Sequence, residues 1–468
     1  MSEVGTSSHP LRVAIIGAGP AGFYAAGYLL QKQKDVVVEV DMFDRLPTPH
    51  GLVRAGVAPD HQKIKSVTRI FDKTAAQPGF RFFGNVDFGK HLTLDDLKAH
   101  YHQIYFSTGA QVDRRLDIPG EDLDGSYSAT DFVAWYNGHP DYRHLTFDLS
   151  QEGVAIVGVG NVAVDVARIL CRTPEELAQT DIADYALEAL RKSKVKEVYM
   201  LGRRGPAQAA FTNVEARELG ELIGADAYVL PEEAELDALS AADLEANPER
   251  TRSRNVEIVQ DFAGRERTDK PKRLTIRFLV SPVELLDDGN GHVAGMRLVK
   301  NELYATDDGR LRPRATDRFE TLPVGVVFRS IGYRGVALPD VPFHEPWGTI
   351  PNAKGRVLDQ HGGSPVQGLY VGGWIKRGPT GVIGTNKADA VDTVEAMLED
   401  VAQGQHLTPS APHADSAEAT IREHQPQYFS YADWQRIDEL ETNLGAEQGR
   451  PRVKFICAED MLEALGKE

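Results

Sequence analysis

Two glycine-rich turns carry the plainest chemistry in this chain of 468 residues. In "GAGPAG", Gly17, Gly19 and Gly22 follow the apolar run Leu11 to Ile16 and open an Ala-rich, helix-like stretch. Glycines so spaced permit a tight strand-to-helix turn, close backbone approach to a pyrophosphate, and close helix–strand packing. The helix N-terminus then holds the negative charge. The acid expected past the next strand is Asp44, which ends the run "VVVEVDMF" (36–43) and is placed to bond ribose hydroxyls. The alternative is a glycine-rich turn with a surface aspartate. A second turn, "GVGNVA", repeats the setting with Gly158, Gly160 and, in third place, Ala163. Its alternative is a plain β–α turn. Two such units imply two bound dinucleotides.

The strand expected to follow the second unit, "VKEVYML" (195–201), ends in Gly202-Arg203-Arg204-Gly205. An acid there would bond the adenosine ribose and select NAD. A guanidinium instead pairs with the 2′-phosphate of NADP through charge-assisted, often bidentate bonds. The alternative is a solvated turn, or salt bridges to nearby acids in a chain of 69 acidic and 52 basic residues.

These loops need a frame to hold them. The length favours two domains over one. The net charge of −17 weighs against general nucleic-acid binding. No apolar run reaches the roughly 18 residues of a membrane span. "MSEVGTSSHP" has no secretory signal pattern. Cys171 and Cys457 alone allow no disulfide framework, no Cys-x-x-Cys pair and no iron–sulfur cluster, so a reducing, cytoplasmic setting is expected. Further β-type runs stop at glycines in "HQIYFSTGA" (102–110), "VGVVFRSIGYRG" (324–335) and "GLYVGGW" (368–374). "RLTIRFLVSPVELL" and "HVAGMRLVKNEL" look like strands of a meander. The stretch 230–275 reads as charged and irregular. The tail after about 404 reads as a linker and one final helical segment.

With the glycine loops, "LPTPHGLVRAGVAPDHQKIK", "RFFGNVDFGK", "LDIPGEDLDG", "GNVAVDVARIL", "GRRGPAQAAFT" and "GWIKRGPTGVIGTNK" strongly resemble the adrenodoxin reductase-type ferredoxin–NADP reductases, flavoproteins of the glutathione-reductase-like superfamily. The resemblance implies an α/β fold of two doubly wound Rossmann-like domains. An NADP-binding domain (113–329) would be inserted into a discontinuous FAD-binding domain (11–112 and 330–468). It implies FAD contacts at Gly17, Gly19, Ala21, Asp44, Leu52, Val86, Trp374 and the backbone of Gly381, Val382 and Ile383. The usual family residue at 44 looks like glutamate, and aspartate is shorter. Trp374 reads equally as a buried core aromatic. NADP(H) contacts are implied at Val159, Gly160, Asn161, Val162, Arg203, Arg204, Glu215 and Gly381, with no metal.

The catalytic candidates implied near the flavin and nicotinamide are His61 and Glu215, although His61 would also suit a local turn cap. "TGVIGTNK" looks like a helix start able to stabilise negative charge on a reduced flavin. The implied activity takes hydride from NADPH onto FAD and passes single electrons to a ferredoxin-type iron–sulfur protein, which in turn feeds a cytochrome P450. Arg250, Arg252, Arg254, Arg265, Lys270 and Lys272 offer that acceptor a basic patch, or form a solvated loop. The absence of Cys-x-x-Cys excludes a disulfide-reductase mechanism. Rival readings are an NADPH diaphorase or quinone reductase, and a non-catalytic NADP-binding sensor. The sensor is disfavoured because both cofactor motifs are intact.

Overall fold

In the computed structural model, which describes residues 4–32 and 35–467, each glycine loop leaves the middle of its own sheet. The fully buried run Leu11–Ile16 is β1. It pairs in parallel with β2 (Val38–Phe43), which in turn pairs with β3 (Phe80–Phe83). On the other side β1 pairs in parallel with β4 (Gln103–Phe106). A parallel strand covered on both faces must be apolar throughout, as "LRVAII" is but for Arg12. Arg12 is 1% exposed and is answered by Glu39 and Asp41.

The chain then crosses through β5 (Val112–Asp113) and β6 (Ser126–Ser128) to β7 (Gly153–Val157) and β8 (Glu197–Leu201). There follow β9 (Ala225–Val229), β10 (Lys272–Arg277), β11 (Val280–Asp287), β12 (Val293–Ala305), β13 (Leu311–Leu322) and β14 (Val326–Arg329). The second sheet is parallel throughout, in the order β6-β14-β7-β8-β10-β9. β11, β12 and β13 make the expected antiparallel meander. β15 (Tyr333–Arg334) returns beside β5 as a two-stranded ribbon. The chain then completes the first sheet with β16 (Asn352–Ala353), β17 (Arg356–Leu358) and β18 (Pro365–Val371). Strand order reverses beside β1 and beside β7, and at such a point the crevice past the strand ends is open to a ligand.

Two expectations are corrected. The stretch 230–275 is not irregular: it holds helices Pro231–Ala234, Ala238–Ala246 and Arg250–Ala263 before β10. In the longest, Asn255, Val256, Val259 and Phe262 fall on one buried face, and the arginines around them hid that period. The tail carries three helices, Ala414–His424, Tyr431–Glu447 and Ala458–Leu465. Trp434 packs edge-on against His50, Arg54 is paired with the buried Glu441, and Lys454 and Lys65 share the buried Asp181. The tail thereby braces the segment beside the first glycine loop. Among the described residues no helix is long and apolar enough to cross a membrane.

Several histidines are folded in as neutral rings. His102 accepts the Arg12 N–H on Nδ1 at 3.0 Å, and burial, His406 and Arg12 push it down to about 4. Burial, with Arg54 and Arg452, pushes His50 down to about 3. In each case the unfolded chain binds the proton first. This contribution to stability is therefore complete above about pH 6.5 and is lost as pH falls toward 4. The melting temperature is expected to drop across that window, and His102→Asn is expected to lessen the drop. A melting temperature flat from pH 6.5 to 4 would contradict this.

Candidate functional site

In the first loop the three glycines serve three different needs. Gly17 has φ +105, and a Cβ there would stand 2.6 Å from the Ser107 carbonyl oxygen. A Cβ on Gly22 would stand 2.3 Å from the Gly17 oxygen. At Gly19 it would meet nothing within 4 Å. The outer glycines therefore permit packing, and the middle one faces open space. The helix Pro20–Gln31 begins here with Pro20 at its first position and no side-chain cap, so its first N–H groups are left for another partner.

Asp44 buttresses this loop, accepting the Ala18 N–H at 2.8 Å and the Leu46 N–H at 2.9 Å. Burial pushes its carboxyl up, against those two bonds. Val86 donates its N–H to the Asp44 carbonyl at 2.9 Å. Gly51 has φ +50 and crosses over the loop so closely that a Cβ would lie 2.9 Å from the Gly19 Cα; Leu52 follows it, largely exposed. A Cβ on Gly373 would lie 2.7 Å from that of Ala21. The next residue, Trp374, is half-buried rather than a core aromatic: Nε1 donates to the Thr380 carbonyl at 3.2 Å and its ring stacks on Tyr333. Gly381, Val382 and Ile383 precede the helix Thr385–Ala402, whose cap residue Gly384 has no side chain.

The second loop repeats the pattern. A Cβ on Gly158 (φ +139) would stand 2.2 Å from the Ser330 oxygen, and one on Gly160 would meet nothing within 4 Å. Ala163 is fully buried, so the third place here accommodates a methyl. The helix Asn161–Cys171 also starts without a side-chain cap. The Val159 carbonyl accepts the Ala210 N–H at 3.1 Å, Asn161 Oδ1 accepts the Thr212 N–H at 2.9 Å, and Val162 packs on the core.

The turn after β8 is held by its backbone alone. Gly202 N–H donates to Arg277, Val280 N–H to Gly202, Leu279 N–H to Arg204, and Asn301 Nδ2 to Arg203, at 2.8 to 3.1 Å. Of the two guanidinium groups, that of Arg204 makes one long contact, to the Gln208 carbonyl at 3.5 Å. Neither Arg203 nor Arg204 makes an ion pair among the described residues, although most other arginines near them do. Burial, then Arg203 and Arg252, lowers the pKa of Arg204. The two cations repel each other, and among the described residues no carboxylate answers either. The salt-bridged alternative for this turn is not what the structure builds.

His61 and Glu215 are brought together, around a residue the sequence reading missed. Arg168 is fully buried and pairs with Asp60 (2.6 Å), Asp165 (2.6 Å), Glu215 (3.2 Å) and Glu218 (3.4 Å). Its N–H also reaches His61 Nδ1 at 3.3 Å, and a guanidinium only donates. His61 therefore carries its proton on Nε2, donated to Glu218 at 2.7 Å, with Glu215 3.7 Å away. Its side chain does not cap the adjacent helix. Burial and Asp165 push the Glu215 carboxyl up, against His61 and Arg168. Burial opposes ionisation of Asp60 too, but Arg168 and Arg172 hold it below the usual carboxylate range. The signal available in sequence was Asp165 and Arg168, one turn apart in "DVAR" after the second loop.

Among the basic residues of 250–272, Lys270 and Lys272 donate to backbone carbonyls, Arg254 pairs with Glu257 and Arg265 with Asp261, and Arg252 lines the cleft beside Arg204. Removing Arg168 leaves its carboxylates unanswered in the interior. Arg168→Leu is expected to cost about 3–5 kcal/mol of stability. A variant that melts within a degree or two of the parent would refute the balance described.

A family model for pyridine nucleotide-disulphide oxidoreductases matches residues 11–203. "NADPH-ferredoxin reductase FprA" of Mycobacterium leprae is 47% identical over 97% of this chain and 98% of its own. "NADPH:adrenodoxin oxidoreductase, mitochondrial" of Arabidopsis thaliana is 40% identical over 98% of this chain and 96% of its own. The solved structure of Mycobacterium tuberculosis FprA in complex with NADPH superposes with a TM-score of 0.91 at 46% identity, covering 98% of this chain and all of that one. At this identity along nearly the whole of both chains, the chain belongs to the adrenodoxin reductase-type ferredoxin–NADP reductases.

Proposed function

We propose that this protein takes hydride from NADPH onto FAD and passes single electrons to a ferredoxin- or adrenodoxin-type iron–sulfur protein. The observation that carries it is the turn at Arg203 and Arg204, two guanidiniums without a carboxylate, one strand beyond an open glycine loop. FAD fits the first cradle, where Gly19 faces open space and the helix start is uncapped. It would be held by Gly17, Gly19, Ala21, Asp44, Leu52, Val86, Trp374, Gly381, Val382 and Ile383, within a unit formed by 11–112 and 330–468. NADP(H) would be held by Val159 to Val162, Arg203, Arg204 and Glu215 within 113–329, and by Gly381 from the other unit. The separation of the two main sheets on either side of the β5–β15 ribbon supports that division.

When bound, FAD supplies the chemistry, accepting a hydride and releasing electrons one at a time. The chain's part is to position and to manage protons. Trp374 and Tyr333 stack on each other and would face the space where the two proposed units meet. His61 Nε2 holds its proton against Glu218 with Glu215 beside it, and Arg168 orients the ring and both acids. Cys171 and Cys457 are separately buried and free, so the one-electron carrier is another protein. The resemblance supports a cytochrome P450 as that carrier's consumer. Two free cysteines, with no helix long and apolar enough to cross a membrane among the described residues, support a cytoplasmic location.

Two measurements check this reading. NADPH-driven cytochrome c reduction is expected to rise when a ferredoxin is added; an unchanged rate would favour the diaphorase or quinone reductase reading. Arg203→Ala and Arg204→Ala are each expected to weaken NADPH binding by about 1.5–3 kcal/mol while sparing NADH. An unchanged NADPH/NADH preference in the double variant would refute the phosphate assignment.

A further inference from the structure

The cleft at the arginine turn is too large for a phosphate alone. It encloses about 800 Å³ and is walled by Arg203, Arg204 and Arg252 on one side and by Tyr304, Arg310 and Arg312 on the other. The second wall is the far end of the β12–β13 hairpin. The near end of β12 belongs to the interior, with Val293, Met296, Leu298 and Val299 in a buried cluster. The register shifts between Val299 and Asn301, and beyond that bulge the hairpin runs out exposed.

The bulge is tied to the arginine turn itself. Asn301 is 5% exposed, and Nδ2 donates to the Arg203 carbonyl at 2.9 Å and to Ser281 Oγ at 2.8 Å. The base of the hairpin arm is thus hydrogen-bonded to the turn. Charge on the walls is unbalanced. Asp243 pairs with Arg252 and the exposed Asp308 with Arg310, but Arg312 has no ion pair among the described residues, as Arg203 and Arg204 have none. Tyr304 lies across the arm from Arg312 and has Arg314 against its ring at 5.7 Å, leaving ring surface exposed. An adjacent cation and aromatic over a cationic floor suit a phosphorylated nucleoside: a guanidinium for the phosphate, a ring for the base.

We propose that the hairpin arm is a specificity-determining element for the reduced nucleotide, with Arg312 adding a further cation for the 2′-phosphate and Tyr304 presenting its ring to the adenine. This rests on the reading of Arg203 and Arg204 given above and extends it to residues more than 100 positions downstream.

The probe is 2′,5′-ADP, titrated calorimetrically into the FAD-loaded protein, with 5′-AMP as its counterpart lacking the 2′-phosphate. Arg312→Ala is expected to weaken 2′,5′-ADP by about tenfold. It is also expected to lower the NADPH/NADH ratio of kcat/KM through KM, and Arg312→Lys to recover part of the loss. Tyr304→Leu is expected to weaken 2′,5′-ADP and 5′-AMP alike. If Arg312→Ala and Tyr304→Leu bind the probe within about twofold of the parent while Arg204→Ala loses it, the arm is not part of the site and the proposal falls alone. If Arg204→Ala also leaves binding unmoved, the phosphate assignment falls with it.

Discussion

No heavy atom fits where a Cβ would stand on Gly17 or Gly158. In both places the end of a central parallel strand lies against the backbone of its neighbour, at Ser107 and at Ser330. That contact makes each strand turn sharply into a helix, and the turn sets where the first uncapped N–H groups point. The nucleotide cradles are consequences of it. So is the position of the residue that follows the next strand, Asp44 in one sheet and the arginine turn in the other.

The two sheets then diverge in charge. Asp44 turns inward, both oxygens bonded to backbone N–H groups, and braces the loop it faces. Arg203 and Arg204 sit on a turn whose carbonyls are bonded at Gly202, Arg203 and Arg204, and among the described residues no carboxylate answers their charge. Between the cradles a different rule holds. Asp60, Asp165, Glu215, Glu218 and His61 are drawn together at the cost of burying charge, and Arg168 offsets that cost from their midst. Burial without Arg168 would leave these carboxylates protonated or the fold open.

Legibility followed locality. The glycine turns, Asp44 and the arginine pair were plain in sequence because each depends on a strand and the few residues after it. Expected strands began within about three residues of the observed ones. The helix Arg250–Ala263 was hidden because its buried face is narrow and its other faces are crowded with charge. Arg168 was hidden because its partners come from distant segments, with Asp60 in one sheet's connections and Glu215 in the other's. Tyr304 and Arg312 reach the cleft only through a bulge at Asn301, and a register shift leaves no mark that composition or periodicity registers.

The middle glycine of the second loop gives the most direct test. A methyl at Gly160 meets no protein atom within 4 Å, and the backbone there, at φ −99, suits alanine. Gly160→Ala should therefore fold, melt as the parent does and keep its FAD. What it should lose is room for the nucleotide. The measurement is NADP+ affinity of the folded, flavin-loaded variant. The account predicts a marked loss; an affinity equal to the parent's would contradict it.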